Sequence, residues 1–230
     1  MKIRPRLLGA VLAFAVIPCA NAALIGVDFG PAGFGSTPTN WTLDTNFNSH
    51  TLTNLIDESG ASTLVDLDVN ISGPPSGMFS STIPAAQLPT HSNSLAGLDG
   101  NLAADNSLLL TWQDLVPNAV YDVYVFGNDT VAENQLVTVT GAGAPIAFVQ
   151  NFAINNLFVN GVIGSNAALS TFALSVGADA AGNISINVQN GQGPDVGIAG
   201  LAIQASAVPA PATLALLGLG LLGLRLRRST

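Results

Sequence analysis

The sequence has 230 residues, with six Lys or Arg, fourteen Asp or Glu and a formal net charge of −8. All six basic residues (Lys2, Arg4, Arg6, Arg225, Arg227 and Arg228) stand at the two ends, and all fourteen acidic residues lie between Ala23 and Ala207. Setting the +6 aside therefore leaves −14 on the middle of the chain. A body without Lys or Arg lacks the cations that hold phosphate backbones, which excludes nucleic acid as a partner and leaves no side-chain salt bridge to expect there.

At the N-terminal end, Lys2, Arg4 and Arg6 form a positive n-region and Leu7 to Ile17 an apolar h-region. Ala20-Asn21-Ala22 supplies the small-x-small pattern cut by signal peptidase, so residues 1–22 read as a signal peptide and Ala23 as the mature start. The apolar stretch is too short for a stable anchor. A lipoprotein signal using Cys19 is the rival reading, and Pro18 immediately before it fits a lipobox poorly. Cys19 is the only cysteine, so the body has no disulfide and depends on its core. About 185 residues suffice for one domain on that basis.

Strand signals dominate residues 23–205. Ala23 to Phe29 is apolar and runs into a Gly/Pro loop. In Thr63 to Ile71, Val65, Leu67, Val69 and Ile71 alternate with Leu64, Asp66, Asp68 and Asn70, which predicts a strand with one wet face. Ser72 to Pro89 reads as a long surface loop with at most one strand-like stretch, and Leu98 to Asn106 as the place for a short helical turn. Ser107 to Trp112 and Ala119 to Phe126 are the best strand pair, joined through turn residues Gln113 to Asn118. Strands are also expected at Gln135 to Thr140, Ile146 to Val149, Leu157 to Val159, Thr171 to Val176, Asn183 to Val188 and Gly197 to Gln204. Many short strands separated by Gly and Asn turns indicate an all-β fold, a single β-sandwich of roughly ten strands and jelly-roll-like form.

Chemistry-bearing residues are sparse. There is no G-x-S-x-G motif, and His50 and His91 lie in polar, loop-like contexts that read as solvated. Zinc has no Cys and no closely spaced His pair to use. Asp57-Glu58 before Ser59-Gly60 reads as a turn, while Asp66 and Asp68 share a strand face without the aromatic platforms of a glycosidase cleft. Trp112 reads as core, and Trp41 is open between core and sugar platform. Hard cations take loop oxygens. Asp99, Asn101 and Asp105 form one oxygen-rich loop, and Asp129 with Glu133 another; no cofactor is expected, and Ca2+ is the candidate ion should these loops take one. Neither loop has the EF-hand spacing, and plain Asx turns are the favoured reading of both.

Residues 206–230 end the chain as VPAPATLALLGLGLLGLRLRRST from Val208. Ala212 to Leu224 is uncharged, and its thirteen residues would span about 20 Å as a helix against about 30 Å of hydrocarbon. Extension from Val208 to Leu226 with snorkelling arginines gives a marginal span. Arg225, Arg227 and Arg228 set the C-terminal side in the cytoplasm. A buried core helix is the alternative, but a segment apolar all round lacks its polar face.

This tail resembles the PEP-CTERM sorting signal of exosortase substrates. Val208, Pro209, Pro211, Ala212, Thr213, the Leu/Gly run and the arginines match the family, and Ala210 stands where it has Glu. The resemblance implies an exported protein, briefly anchored in the inner membrane, handled by an exosortase-like enzyme and delivered to the cell envelope or an exopolysaccharide matrix. The body is similar in pattern to galactose-binding-like β-sandwiches through VDFG at Val27, LTWQDLVPNAVYDVYVFG from Leu110 and GIAGLAIQ from Gly197. That likeness implies a last strand beside the first, and carbohydrate-binding modules as relatives. A non-catalytic exported protein is the reading that follows, with a secreted polysaccharide-binding module as the alternative and a glycoside hydrolase after it.

Overall fold

Where an apolar run is continuous the strand is buried on both faces, and where it alternates one face stays wet. The computed structural model describes residues 23–31, 37–73, 75–80, 83–96, 98, 100–128, 134–151, 156–192 and 196–206. They form sixteen short strands and two 3₁₀ turns, at Ala85–Gln87 and Leu169–Phe172. Among these residues no helix is long and apolar enough to cross a membrane.

The seven-stranded sheet contains β1 (Ile25–Phe29), β2 (Thr42–Asp44), β8 (Val120–Gly127), β11 (Phe158–Val159), β12 (Val162–Ile163), β13 (Leu174–Gly177) and β16 (Gly200–Ala205). Its order is β12-β11-β8-β16-β1-β2, with β13 on the same edge of β8 as β11. The first and last strands are antiparallel neighbours, with Val27 opposite Leu201. The six-stranded sheet contains β3 (His50–Leu52), β4 (Asp66–Ser72), β7 (Ser107–Gln113), β9 (Asn134–Thr140), β10 (Ile146–Asn151) and β14 (Ile184–Gln192), in the order β10-β9-β14-β7-β4-β3. A small third sheet orders β15 (Val196–Ile198), β6 (Gly100–Ala104) and β5 (Pro75–Ser80).

Two apolar layers result. Val27, Phe29, Val123, Val125, Leu201 and Ile203 pack with Leu67, Val69, Leu108, Leu110, Trp112 and Ile186 in the sandwich core. The opposite parity of the seven-stranded sheet, with Leu24, Tyr124, Phe126 and Ala202, packs with Trp41, Leu95, Leu98, Leu157 and Leu169 in a second cluster. The predicted surface loop after β4 is therefore partly a lid: Ile83 and Leu88 pack against that cluster, and β5 pairs with β6. A sheet whose strands read IGVDF and VYDVYVFG has apolar side chains on both faces, so both must be covered.

The structure corrects several expectations. The helical turn expected in Leu98 to Asn106 is instead strand β6, paired to β5 and β15. The two best strands, β7 and β8, do not pair: they lie in opposite sheets. Their connection carries left-handed Asp114 and Asn118 (φ 59° and 61°) and buries Leu115, so it turns the chain across the end of the sandwich. Thr171 to Val176 opens in a 3₁₀ turn and only then becomes β13. Gly197 to Gln204 divides into β15 and β16, which belong to different sheets.

Candidate functional site

Unlike its partner, the six-stranded sheet has an outer face that is polar and accessible. Side chains alternate along each strand, so register aligns one outward set across five strands: Thr51, Asp68, Thr111, Ser185 and Thr140. The next row runs Asn70, Leu109, Asn187, Thr138 and Ala147. Five strands at about 4.8 Å spacing make a carpet about 19 Å wide. Thr51 Oγ1 donates to Asp68 Oδ1 at 2.9 Å, and the Thr111 and Ser185 hydroxyls are 3.3 Å apart. No aromatic ring stands in either row.

Asp66 and Asp68 do share this face of β4, as the alternation predicts, but each has a structural partner. Asp66 Oδ1 accepts the Asn54 amide at 2.7 Å and Asp68 the Thr51 hydroxyl. Asp57 is the turn residue the sequence suggests. Its Oδ1 accepts the Ser59 hydroxyl and the amides of Ser59 and Ala61, and these bonds, the Ser59 hydroxyl first, hold its carboxyl below the ordinary aspartate value.

Both histidines depart from the solvated reading, and each stands against a carboxylate. His91 Nε2 is 2.6 Å from Glu58 Oε2, and both side chains are largely buried. Glu58 Oε1 also accepts the Trp41 indole N–H at 3.2 Å. Ser92 Oγ reaches the same Nε2 of His91, at 3.3 Å. A nucleophile–base–orienter relay needs the serine and the carboxylate on different ring nitrogens, so this cluster is not built as a triad. Trp41 itself is 5% exposed and packs 5.8 Å from the Phe126 ring, which makes it core and removes it as a sugar platform. Trp112 is fully buried, as expected.

The second contact joins the sheet edges. His50 Nε2 is 3.0 Å from Asp44 Oδ2, yet neither atom has a hydrogen-bond partner, so the approach is close but misaligned for a hydrogen bond. Burial raises the Asp44 carboxyl above its ordinary value, against the Asn46 amide and His50, which lower it.

Of the calcium expectations, Asp99, Asp129 and Glu133 lie outside the described residues, Asn101 falls on β6 and Asp105 in the turn before β7. Among the described residues no three His, Cys, Asp or Glu side chains converge on a metal position. The signal-peptidase residues Ala20 and Ala22 and the tail from residue 207 onward, including Val208 to Pro211 and the arginines, also lie outside them, while Ala23 is exposed.

The PEP-CTERM protein-sorting motif matches residues 207–229. The chain carries a PEP-CTERM sorting signal. That signal marks an exported protein processed by an exosortase-like sorting enzyme and directed to the cell envelope or surface. No curated protein matches the sequence. Solved structures similar to this chain include TmCBM61 in complex with β-1,4-galactotriose (12% identity, TM-score 0.31), with 59% of this chain and 86% of that one covered. Another is the CBM22-1–GH10 portion of Clostridium thermocellum xylanase 10B with xylohexaose, at 12% identity and TM-score 0.30, covering 83% of this chain and 30% of that one. A third is the enzymatically active domain of bacteriophage CBA120 tailspike protein 4, at 14% identity and TM-score 0.25, covering 81% and 19%.

Proposed function

We propose that this is a non-catalytic exported protein whose acidic β-sandwich is the cargo and whose tail is the address. The order of events is signal-peptidase cleavage before Ala23, transient inner-membrane residence of residues 206–230, and transfer by the sorting enzyme to the envelope or an exopolysaccharide-associated matrix. The observation that carries this reading is the sorting motif at 207–229 on a chain whose basic residues occur only at its two ends. Positive charge stands where membrane machinery reads it, and the body stays strongly anionic and soluble. Ala210 in place of the usual Glu leaves Pro209, Pro211, the apolar run and the arginines as the recognised features. Replacing Arg225, Arg227 and Arg228 together by Ser tests it in cells that contain the sorting enzyme. The expected result is loss of surface delivery; undiminished delivery contradicts the proposal.

A second reading is that the body binds a polysaccharide, and one observation favours it: the accessible outer face of the six-stranded sheet, where Thr, Ser and Asn side chains stand beside Asp68 and exposed Leu109. Neutral sugars hydrogen-bond to such groups, and an extended chain matches its width. Pull-down of the full chain with insoluble polysaccharides, with and without Ca2+, tests this. Retention lost on Thr111→Leu with Asn187→Leu supports it, and no retention on any polymer dismisses it.

A further inference from the structure

The sorting signal begins without a linker. Ser206 is the last of the described residues, and the matched motif begins at residue 207. Ala207 alone separates Ser206 from Val208, so about 7 Å of extended chain is the most that can join them. Ser206 itself is held by the fold at two points. Its amide donates to the Val120 carbonyl at 2.9 Å, one step beyond the last pair of β16 with β8, Ala205 opposite Tyr121. Its Oγ donates to Asp122 Oδ1 at 2.7 Å, and the same oxygen accepts the Ser175 hydroxyl of β13 at 2.9 Å. On the other side, β1 pairs with β16 only as far as Ile203. Residues 204–206 thus have one neighbouring strand, β8, and the Ser206–Asp122 bond closes the end of that pairing.

Such an end can open without disturbing the core, since Gln204, Ala205 and Ser206 are half-buried whereas Leu201 to Ile203 are buried. An extended peptide is recognised through its own main-chain hydrogen bonds, which a residue still paired in a sheet cannot offer. A segment that must leave a sheet to be processed is processed in proportion to its open population. We propose that Ser206 and Asp122 form a latch on the sorting signal: the sorting enzyme acts on chains in which this bond is open, so the latch sets the rate of tail processing. This regulation rests on the sorting role proposed above.

The test follows loss of the C-terminal arginines from the full chain by mass spectrometry, at successive times after synthesis in cells that contain the sorting enzyme. Ser206→Ala should speed processing about threefold or more, the effect of losing one hydrogen bond. Ser206→Thr keeps a hydroxyl and should match the native chain. Ser175→Ala removes the other partner of Asp122 and should leave the rate unchanged. A flexible insert of about six Gly/Ser residues between Ser206 and Ala207 should also speed processing and abolish the effect of Ser206→Ala. Hydrogen exchange of the full chain in detergent reads the latch without the enzyme: Ser206→Ala should speed exchange of the position-206 amide and leave β7 and β14 unchanged. A native chain processed as fast as Ser206→Ala overturns the latch and leaves the sorting role standing. Equal acceleration by Ser175→Ala also overturns it, because the sheet as a whole would then be loosened. Tails retained on every chain, the insert included, contradict the sorting role itself, and the latch falls with it.

Discussion

Gly26 is fixed by its neighbour. A Cβ built there would lie 2.1 Å from the Trp41 ring, which is itself held between Phe126 and Glu58. Gly26→Ala must displace a buried indole and should cost about 1–3 kcal/mol in urea unfolding, the usual range for overpacking; an unchanged midpoint would contradict the packing described. Tyr124 makes a pH prediction. Burial, with a smaller contribution from Asp122, raises its phenol to about 12. Unfolded tyrosine ionises near 10. Between those values the native state binds more protons than the unfolded state, so stability present below pH ~10 is lost as pH rises toward about 12. The body has no Lys or Cys, so few other groups titrate there. Urea melts at pH 9 and pH 11 should show a smaller loss for Tyr124→Phe than for the native chain. Trp112 as core and Asp57 as a turn residue were legible from strand parity and from the adjacent Ser-Gly. The burial of His50 and His91 was not, because their carboxylates come from other segments or from a folded-back turn that no spacing rule describes.

At the scale of elements, the edge of β8 shows how a sheet changes partner. Residues 120–123 of β8 pair with β13 and residues 126–127 with β11. Asn160 fills the gap between them. Its Oδ1 accepts the Val125 amide at 2.9 Å, and its Nδ2 donates at 2.8 Å to the carbonyls of both Val123 and Phe172. Asn160→Ala leaves three backbone groups without those partners and should cost at least about 3 kcal/mol. Thermal unfolding measures this, and a shift of only a degree or two would show that the side chain is not the bridge. Buried Gln135 and Gln150 do related work: Gln150 Nε2 donates to Val125 O of β8, and Gln135 exchanges hydrogen bonds with Gly197 of β15. Apolar alternation made most strands readable, β4 and β8 above all. It could not say that β7 and β8 part to different sheets, since the decision lies in left-handed Asp114 and Asn118 and in the burial of Leu115. Nor could it separate β15 from β16, because the apolar run from Val196 to Ile203 is unbroken while its hydrogen-bond partners change at Ala199.

For the whole molecule, charge and address belong together. Fourteen acidic residues and no Lys or Arg between Ala23 and Ala207 give a body that neither nucleic acid nor an anionic lipid surface attracts. The fold adds a sandwich with one sheet covered on both faces and the other open on a polar face. Its class was legible from the strand count and spacing; the lid over the seven-stranded sheet was not, because a Gly/Pro/Ser-rich segment reads as solvent-exposed until the apolar face beneath it is known. The central claim is that residues 206–230 are read and acted on by a sorting enzyme, and mass spectrometry of the exported protein's C-terminus addresses it most directly. The account predicts extracellular protein that begins at Ala23 and lacks Arg225 to Thr230. Extracellular protein that still carries Arg225 to Thr230 would contradict it.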